Sequence, residues 1–158
     1  MIQEGELLWS PRPEFAQNSG IAGYLRWLAQ ERGLKLADYD ALWRWSVDET
    51  EAFWASVWDY FGVISTTPYT RVLDRREMPG NRWFEGSQVN YAEHLLRHEE
   101  RLASQPVFHH LSETRPLAQM SWGELGRQVR ILATQLRALG IGPGDRVVSY
   151  MPNVPETA

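Results

Sequence analysis

Apolar residues recur at helical spacing in several stretches of the chain. Ile21, Tyr24, Leu25 and Leu28 fall at i, i+3, i+4 and i+7, and Gly33 stands where a C-terminal cap belongs, so the spacing predicts a helix with one buried face. A short helical turn is expected over residues 38–45. Asp48 and Glu51 have the spacing of a capping box, ahead of a second stripe at Trp54, Val57, Trp58 and Phe61 that Gly62 ends. Asn90 and Glu93 mark the start of a shorter helix carrying Ala92, Leu95 and Leu96. Ser121 and Glu124 open the clearest helix, with Leu125, Val129, Leu132, Leu136 and Leu139 on one face and Gly140 as its cap.

Three other segments read as strands. PVFHHL (106–111) and PLAQM (116–120) flank the polar SETR and predict a hairpin. Residues 146–151, RVVSYM, are apolar on both faces, which suits a strand in the middle of a covered sheet. Asn153 and Glu156, with Pro155 between them, then read as the start of another helix. Strand, helix and strand of these lengths imply a right-handed crossover and a parallel sheet just begun. Residues 1–17, with SPRPEF, are expected to form an extended arm, and 65–88 a long ordered connector. The fold class expected is an incomplete α/β: a Trp-rich, mostly helical segment over 1–104, then an opening hairpin and strand–helix–strand over 105–158. A chain that stops just after a buried strand and the first residues of a helix is expected to be a piece of something longer.

Composition narrows the function classes. With 43% hydrophobic and 23% charged residues the chain is globular in character, and a net charge of −4 offers no electrostatic reason to bind nucleic acid or an anionic membrane. The absence of cysteine excludes disulfides, a thiol nucleophile and thiolate metal sites, and suits a reducing cytoplasm. No leader pattern opens the sequence and no run of eighteen apolar residues occurs, so a cytoplasmic location is expected.

Candidate chemistry is sparse. Gly140, Gly142 and Gly144 leave a helix and enter a strand, the reverse of the order a phosphate-cradling loop needs, and so read as a cap and tight connection. Ser65, Thr66, Thr67 and Pro68 lack the glycines and lysine of a phosphate motif. His94 and His98 stand four apart on an expected helix, yet no third metal ligand accompanies them. His109 and His110 must point to opposite faces of their strand. Asp48, Glu51, Glu93 and Glu124 are accounted for by helix starts. Arg71, Arg75, Arg76 and Arg82, interleaved with Asp74 and Glu77, read as a surface ion-pair network. The eight tryptophans, Trp9, Trp27, Trp43, Trp45, Trp54, Trp58, Trp83 and Trp122, read as core or interdomain packing. A row of exposed aromatics that binds a sugar or peptide is the rival class. These readings identify no catalytic, cofactor-binding or metal-ligating residue.

NRWFEGSQVNYAEHLL (81–96), the hairpin after it and MSWGELGRQVRILATQLRALGIGPGDRVVSYMPNVPE (120–156) resemble the start of the adenylate-forming acyl-CoA synthetases, in their acetyl-CoA-synthetase-like group. Upstream, LLWSP, YLRWLAQERGL and YDALWRWSVDETEAFWASVWDYFGV are more similar to the acetoacetyl-CoA synthetase branch than to the acetate branch. The resemblance implies an AMP-forming ligase that joins a short acid, acetoacetate, to CoA with ATP and Mg²⁺. The family's phosphate loop, adenine-binding motifs and catalytic lysine would all lie past Ala158, so none of its functional residues carries over. On this view the 158-residue chain is inactive alone, binds no ATP, CoA or Mg²⁺, and packs its tryptophans against the remainder of an adenylation domain. Nucleic acid and membrane are not expected partners. A stand-alone aromatic-rich binding module, or a nonfunctional remnant, is the alternative.

Overall fold

A computed structural model describes residues 3–157. Met1 and Ile2, where the expected arm begins, and Ala158, where the chain is expected to break off, lie outside the described residues. Two compact units divide the chain, one up to Val89 and one from Asn90.

The first unit contains α1 (Pro13–Gln17), α2 (Gly20–Glu31), α3 (Tyr39–Asp48), α4 (Thr50–Tyr60), β1 (Arg71–Leu73) and β2 (Trp83–Glu85). The expected arm therefore ends in a helical turn, which Pro13 opens at the position where its missing N–H matters least. Ser19 caps α2 by accepting the Ala22 N–H at 3.2 Å, and the helix ends ahead of Gly33 at φ +65°. Asp38 caps α3 by accepting the Ala41 N–H at 2.8 Å, and α3 runs on to Asp48 rather than stopping at Trp45.

That extension overturns the expected capping box. Asp48 is itself helical, a single residue separates α3 from α4, and Glu49 precedes α4 with no side-chain cap. The core of the unit is Tyr24, Leu28 and Leu42, surrounded by Leu25, Trp27, Leu36, Trp45, Phe53, Val57 and Tyr60. The buried face of α4 is thus Phe53, Ser56, Val57 and Tyr60, one position away from the expected Trp54, Val57, Trp58 and Phe61. Both sets have helical spacing. Ser56 can occupy the inner one because its hydroxyl meets the Tyr24 hydroxyl at 2.5 Å, leaving the larger tryptophans for the other side.

The expected connector holds a hairpin. β1 and β2 pair antiparallel, Arg71 opposite Glu85 and Leu73 opposite Trp83, with Val72 and Leu73 buried. Strands of three residues are too short to show a period, so the pattern gave no sign of them. Trp54 meets Trp83 with ring centroids 5.8 Å apart, and Trp58 meets Phe84 at 4.5 Å and Tyr69 at 5.3 Å. The outer face of α4 and the hairpin form a second aromatic cluster.

The second unit contains α5 (Tyr91–Leu96), α6 (Glu99–Leu102), β3 (Pro106–His110), β4 (Ala118–Ser121) and α7 (Trp122–Ala138), then a 3₁₀ turn at Pro155–Thr157. Asn90 caps α5 through the Glu93 N–H, as expected, whereas α6 carries no periodic signal. The hairpin forms with Phe108 opposite Met120 and His110 opposite Ala118. Ser121 caps α7 at the Glu124 N–H, 3.2 Å away. Residues 146–151 have no ladder partner: Val148 is almost wholly exposed and Tyr150 fully so. The expected strand and parallel sheet are therefore not formed among the described residues, whose sheets are two antiparallel pairs. An apolar run becomes a strand only beside another strand, since its N–H and C=O groups need partners. The helix expected from Asn153 is only the 3₁₀ turn.

Leu28 is 0% exposed, whereas Leu132, on the expected apolar face of α7, is more than half exposed. Replacing Leu28 with Ala is expected to lower stability by about 2–5 kcal/mol in a urea unfolding curve. Leu132→Ala is expected to stay within about 0.5 kcal/mol. Equal losses would contradict the packing described.

Candidate functional site

The hydroxyl-rich loop 65–67 lies in the first unit, laced to residues 86–88. Ser65 Oγ donates to the Thr67 carbonyl at 2.6 Å and accepts the Gln88 N–H at 3.1 Å. Thr67 Oγ1 donates to the Gly86 carbonyl at 2.7 Å, and the Thr66 N–H donates to the Gln88 carbonyl at 3.0 Å. A cleft of about 590 Å³ opens here, lined by Trp58, Val63 and residues 65–69. Its hydroxyl protons are aimed at backbone carbonyls, so the loop does not fit a polyphosphate.

The glycine loop behaves as its order in the sequence implies. Gly140 and Gly144 adopt φ of +87° and +95°, conformations that glycine reaches without a Cβ clash. The Gly142 N–H donates to Asp145 Oδ2 at 2.8 Å, so a carboxylate already stands where an anion would sit.

The arginines find a different acceptor from the expected one. Glu85 binds Arg71 at 2.8 Å and Arg82 at 3.2 Å, making it the hub of the ion pairs, while Asp74 takes the Arg82 backbone N–H at 2.7 Å. Arg75 donates to the Gly80 carbonyl and Arg76 to the Asp48 carbonyl. The hydrogen bond from Arg71, then that from Arg82, holds the Glu85 carboxyl below the usual carboxylate range. For Asp74 the Arg82 N–H is the main cause of a shift in the same direction.

The histidines do not converge. His94 is on α5, but His98 is the residue before α6 and outside the helical region, so the expected i, i+4 face does not exist. Its Nε2 accepts from Arg97 Nε at 3.2 Å. His109, exposed, and His110, half-buried, both border a cleft of about 210 Å³ with Phe108, Leu111, Asn153, Val154 and Pro155. Beside it Arg115 grips both oxygens of Glu156 at 3.0 Å. Among the described residues no group of three or more His, Asp or Glu side chains is placed to hold a metal ion. Nor is any of their helices long and apolar enough to cross a membrane.

Tryptophans chiefly pack. Trp27 lies 5.4 Å from the Tyr60 ring with the Arg32 guanidinium 5.6 Å from its centroid, and Arg32 pairs with Asp59. Trp45 abuts Phe53 at 5.8 Å. Trp9 and Trp43 are exposed. Sequence reasoning missed Glu85 as a hub and the long-range pairs Arg115–Glu156 and Glu99–Arg130, because partners 14, 41 and 31 residues apart leave no local pattern.

Two family models match the chain: acetyl-coenzyme A synthetase N-terminus over residues 39–95 and AMP-binding enzyme over residues 97–158. A protein described as acetoacetyl-CoA synthetase from Danio rerio is 37% identical over 96% of the chain, and one from Rhizobium meliloti (strain 1021) is 38% identical over 99%. A malonamoyl-CoA synthetase of Penicillium aethiopicum is 29% identical over 94%. The solved structure of an acetoacetyl-CoA synthetase from Streptomyces lividans superposes on 96% of the chain with a TM-score of 0.87 and 44% identity. The chain spans only 22% of the Danio rerio protein, and 24% each of the Rhizobium meliloti protein and the Streptomyces lividans chain.

Because the folded pKa values of Glu85 and Asp74 lie below those of the unfolded chain, their contribution is present above about pH 4 and lost as pH falls through the lowered values. Replacing Arg71 and Arg82 together with Ala is expected to move the Glu85 titration back up toward the ordinary carboxylate range. Carboxyl carbon NMR reads this directly, and an unchanged midpoint would contradict the assignment.

Proposed function

From a chain that is, in sequence and fold, the N-terminal part of an adenylate-forming acyl-CoA ligase, we propose that the protein carrying it is an acetoacetate–CoA ligase. It converts acetoacetate, ATP and CoA to acetoacetyl-CoA, AMP and pyrophosphate, with Mg²⁺, in the cytoplasm. The observation that carries this reading is the likeness to acetoacetyl-CoA synthetases across 96% or more of the chain, in the tryptophan-rich helical segment as well as in the opening of the AMP-binding region.

Within that protein residues 1–158 supply scaffold. Residues 1–104 form the helical N-terminal segment and 105–158 the start of the adenylation domain. The hydroxyls of 65–67 and the amides of Gly140, Ile141, Gly142 and Asp145 are committed to the chain's own backbone and side chains, which supports leaving ATP, CoA and Mg²⁺ to residues elsewhere. The remainder of the adenylation domain is the packing partner. It would cover the exposed Leu132 of α7 and Leu139 just after it, and pair with the unpartnered run at 147–151.

The test is an assay of the longer reading frame, following AMP release and thioester formation with acetoacetate, acetate and malonamate in parallel. Acetoacetate is expected to give acyl-CoA and AMP in equal amounts and with the highest kcat/KM of the three. Turnover with one of the other acids but not with acetoacetate would overturn the substrate assignment, and acyl-CoA formation without AMP would overturn the reaction class.

A further inference from the structure

Helix α6 has four residues, none of them buried, and no side-chain cap, so little apolar burial holds it in place. It is nonetheless tied to α7. Glu99 Oε2 accepts from Arg130 Nη1 at 2.7 Å and Oε1 from Nη2 at 2.8 Å, a two-pronged charge-assisted pair. The Glu99 side chain is only 16% exposed while that of Arg130 is 61% exposed, so the carboxylate is pressed onto the helix and the guanidinium reaches back over it. Between them lies Gly126, one turn before Arg130. A methyl group built on Gly126 would overlap the Glu99 carboxylate.

The segment after α6 completes the contact. The Ala103 carbonyl accepts the Gly123 N–H and the Gln105 carbonyl accepts the Trp122 N–H, both at 3.0 Å. These amides belong to the first turn of α7, where no carbonyl of the helix can serve them. Gly123, like Gly126, is closely approached: a Cβ there would lie 3.2 Å from the Ala103 carbonyl oxygen.

We propose that Gly126 is a notch through which Glu99 latches residues 97–105 onto α7, making that segment a strap that opens as a unit while the β3–β4 hairpin stays formed. The glycine is needed for the space it leaves. Its φ is not in the left-handed region, so backbone freedom does not explain it. Elsewhere in a helix, Ala in place of Gly is stabilising.

Four chains test this: the parent, Gly126→Ala, Glu99→Ala and the double variant, compared by thermal melting. The latch predicts non-additivity. Gly126→Ala raises the melting temperature by about 2–4 °C in the Glu99→Ala background, where helix propensity acts, and raises it by markedly less, or lowers it, when Glu99 is present, because the methyl displaces the carboxylate. Equal changes in both backgrounds, including loss of folding in both, overturn the proposal.

Amide hydrogen exchange localises the opening. Glu99→Gln is expected to speed exchange at Trp122 and Gly123 at least tenfold, with the β3–β4 ladder unchanged within about twofold. Unchanged rates at Trp122 and Gly123 would remove the latch. Uniform acceleration of strap and ladder would make them one cooperative unit, which contradicts a separable strap.

Discussion

The helical unit depends on one buried polar contact. Ser56 Oγ donates to the Phe53 carbonyl at 2.6 Å, so its proton is committed, and the Tyr24 hydroxyl 2.5 Å away must be the donor to Ser56. Burial, the larger influence, pushes the Tyr24 phenol above its ordinary pKa despite the opposing hydrogen bond to Ser56. An unpartnered hydroxyl at either position would carry a desolvation penalty, so α4 has one favourable rotation about its axis. That rotation sends Phe53, Val57 and Tyr60 to α2 and α3, and Trp54 and Trp58 to the β1–β2 hairpin. A single helix thereby serves two aromatic clusters on opposite faces. Phe84 adopts φ +47°, uncommon for an aromatic residue, while its ring lies on Trp58.

Where the sequence was legible, the information was local. Ser19, Asp38, Asn90 and Ser121 cap helices, three of them at positions that the sequence marked or bracketed, and the hairpin at 106–121 follows its two strand-like runs and the polar turn between them. Where it misled, the deciding interaction was distant in sequence. The choice between two equally periodic faces of α4 rests on Tyr24, 32 residues from Ser56. The Asp48–Glu51 box had the right spacing, but Asp48 is the last residue of α3 and Glu49 precedes α4 in its place. At 146–151 the residue types favour a strand, yet no neighbouring strand accepts them. The candidate chemistry was legible mainly as exclusion, because loop order argued against a phosphate site at 140–144 before Asp145 was seen to fill it.

On the proposed ligase reading, these features give the chain a supporting role in physical terms. A site that holds a polyphosphate needs uncommitted N–H and O–H donors and a cation. Here the donors close loops, cap helices and join short strands. The arginines near β1 and β2 gather around Glu85 and backbone carbonyls, and the histidines are dispersed between α5, the start of α6 and the two faces of β3. Exposed apolar surface is plentiful instead, on α7 and at 147–151 in the second unit and at Trp43, Trp54 and Trp83 in the first. Surface of that kind suits packing against further protein more than holding a charged nucleotide.

The claim that the chain is scaffold is tested most directly by titrating Mg²⁺–ATP, and separately CoA, into the isotopically labelled 158-residue chain while following its amide NMR signals. The account predicts no saturable shift with either nucleotide up to millimolar concentration. Saturable changes centred on residues 65–69 or 140–145 would contradict it, and would place part of the nucleotide site within this chain.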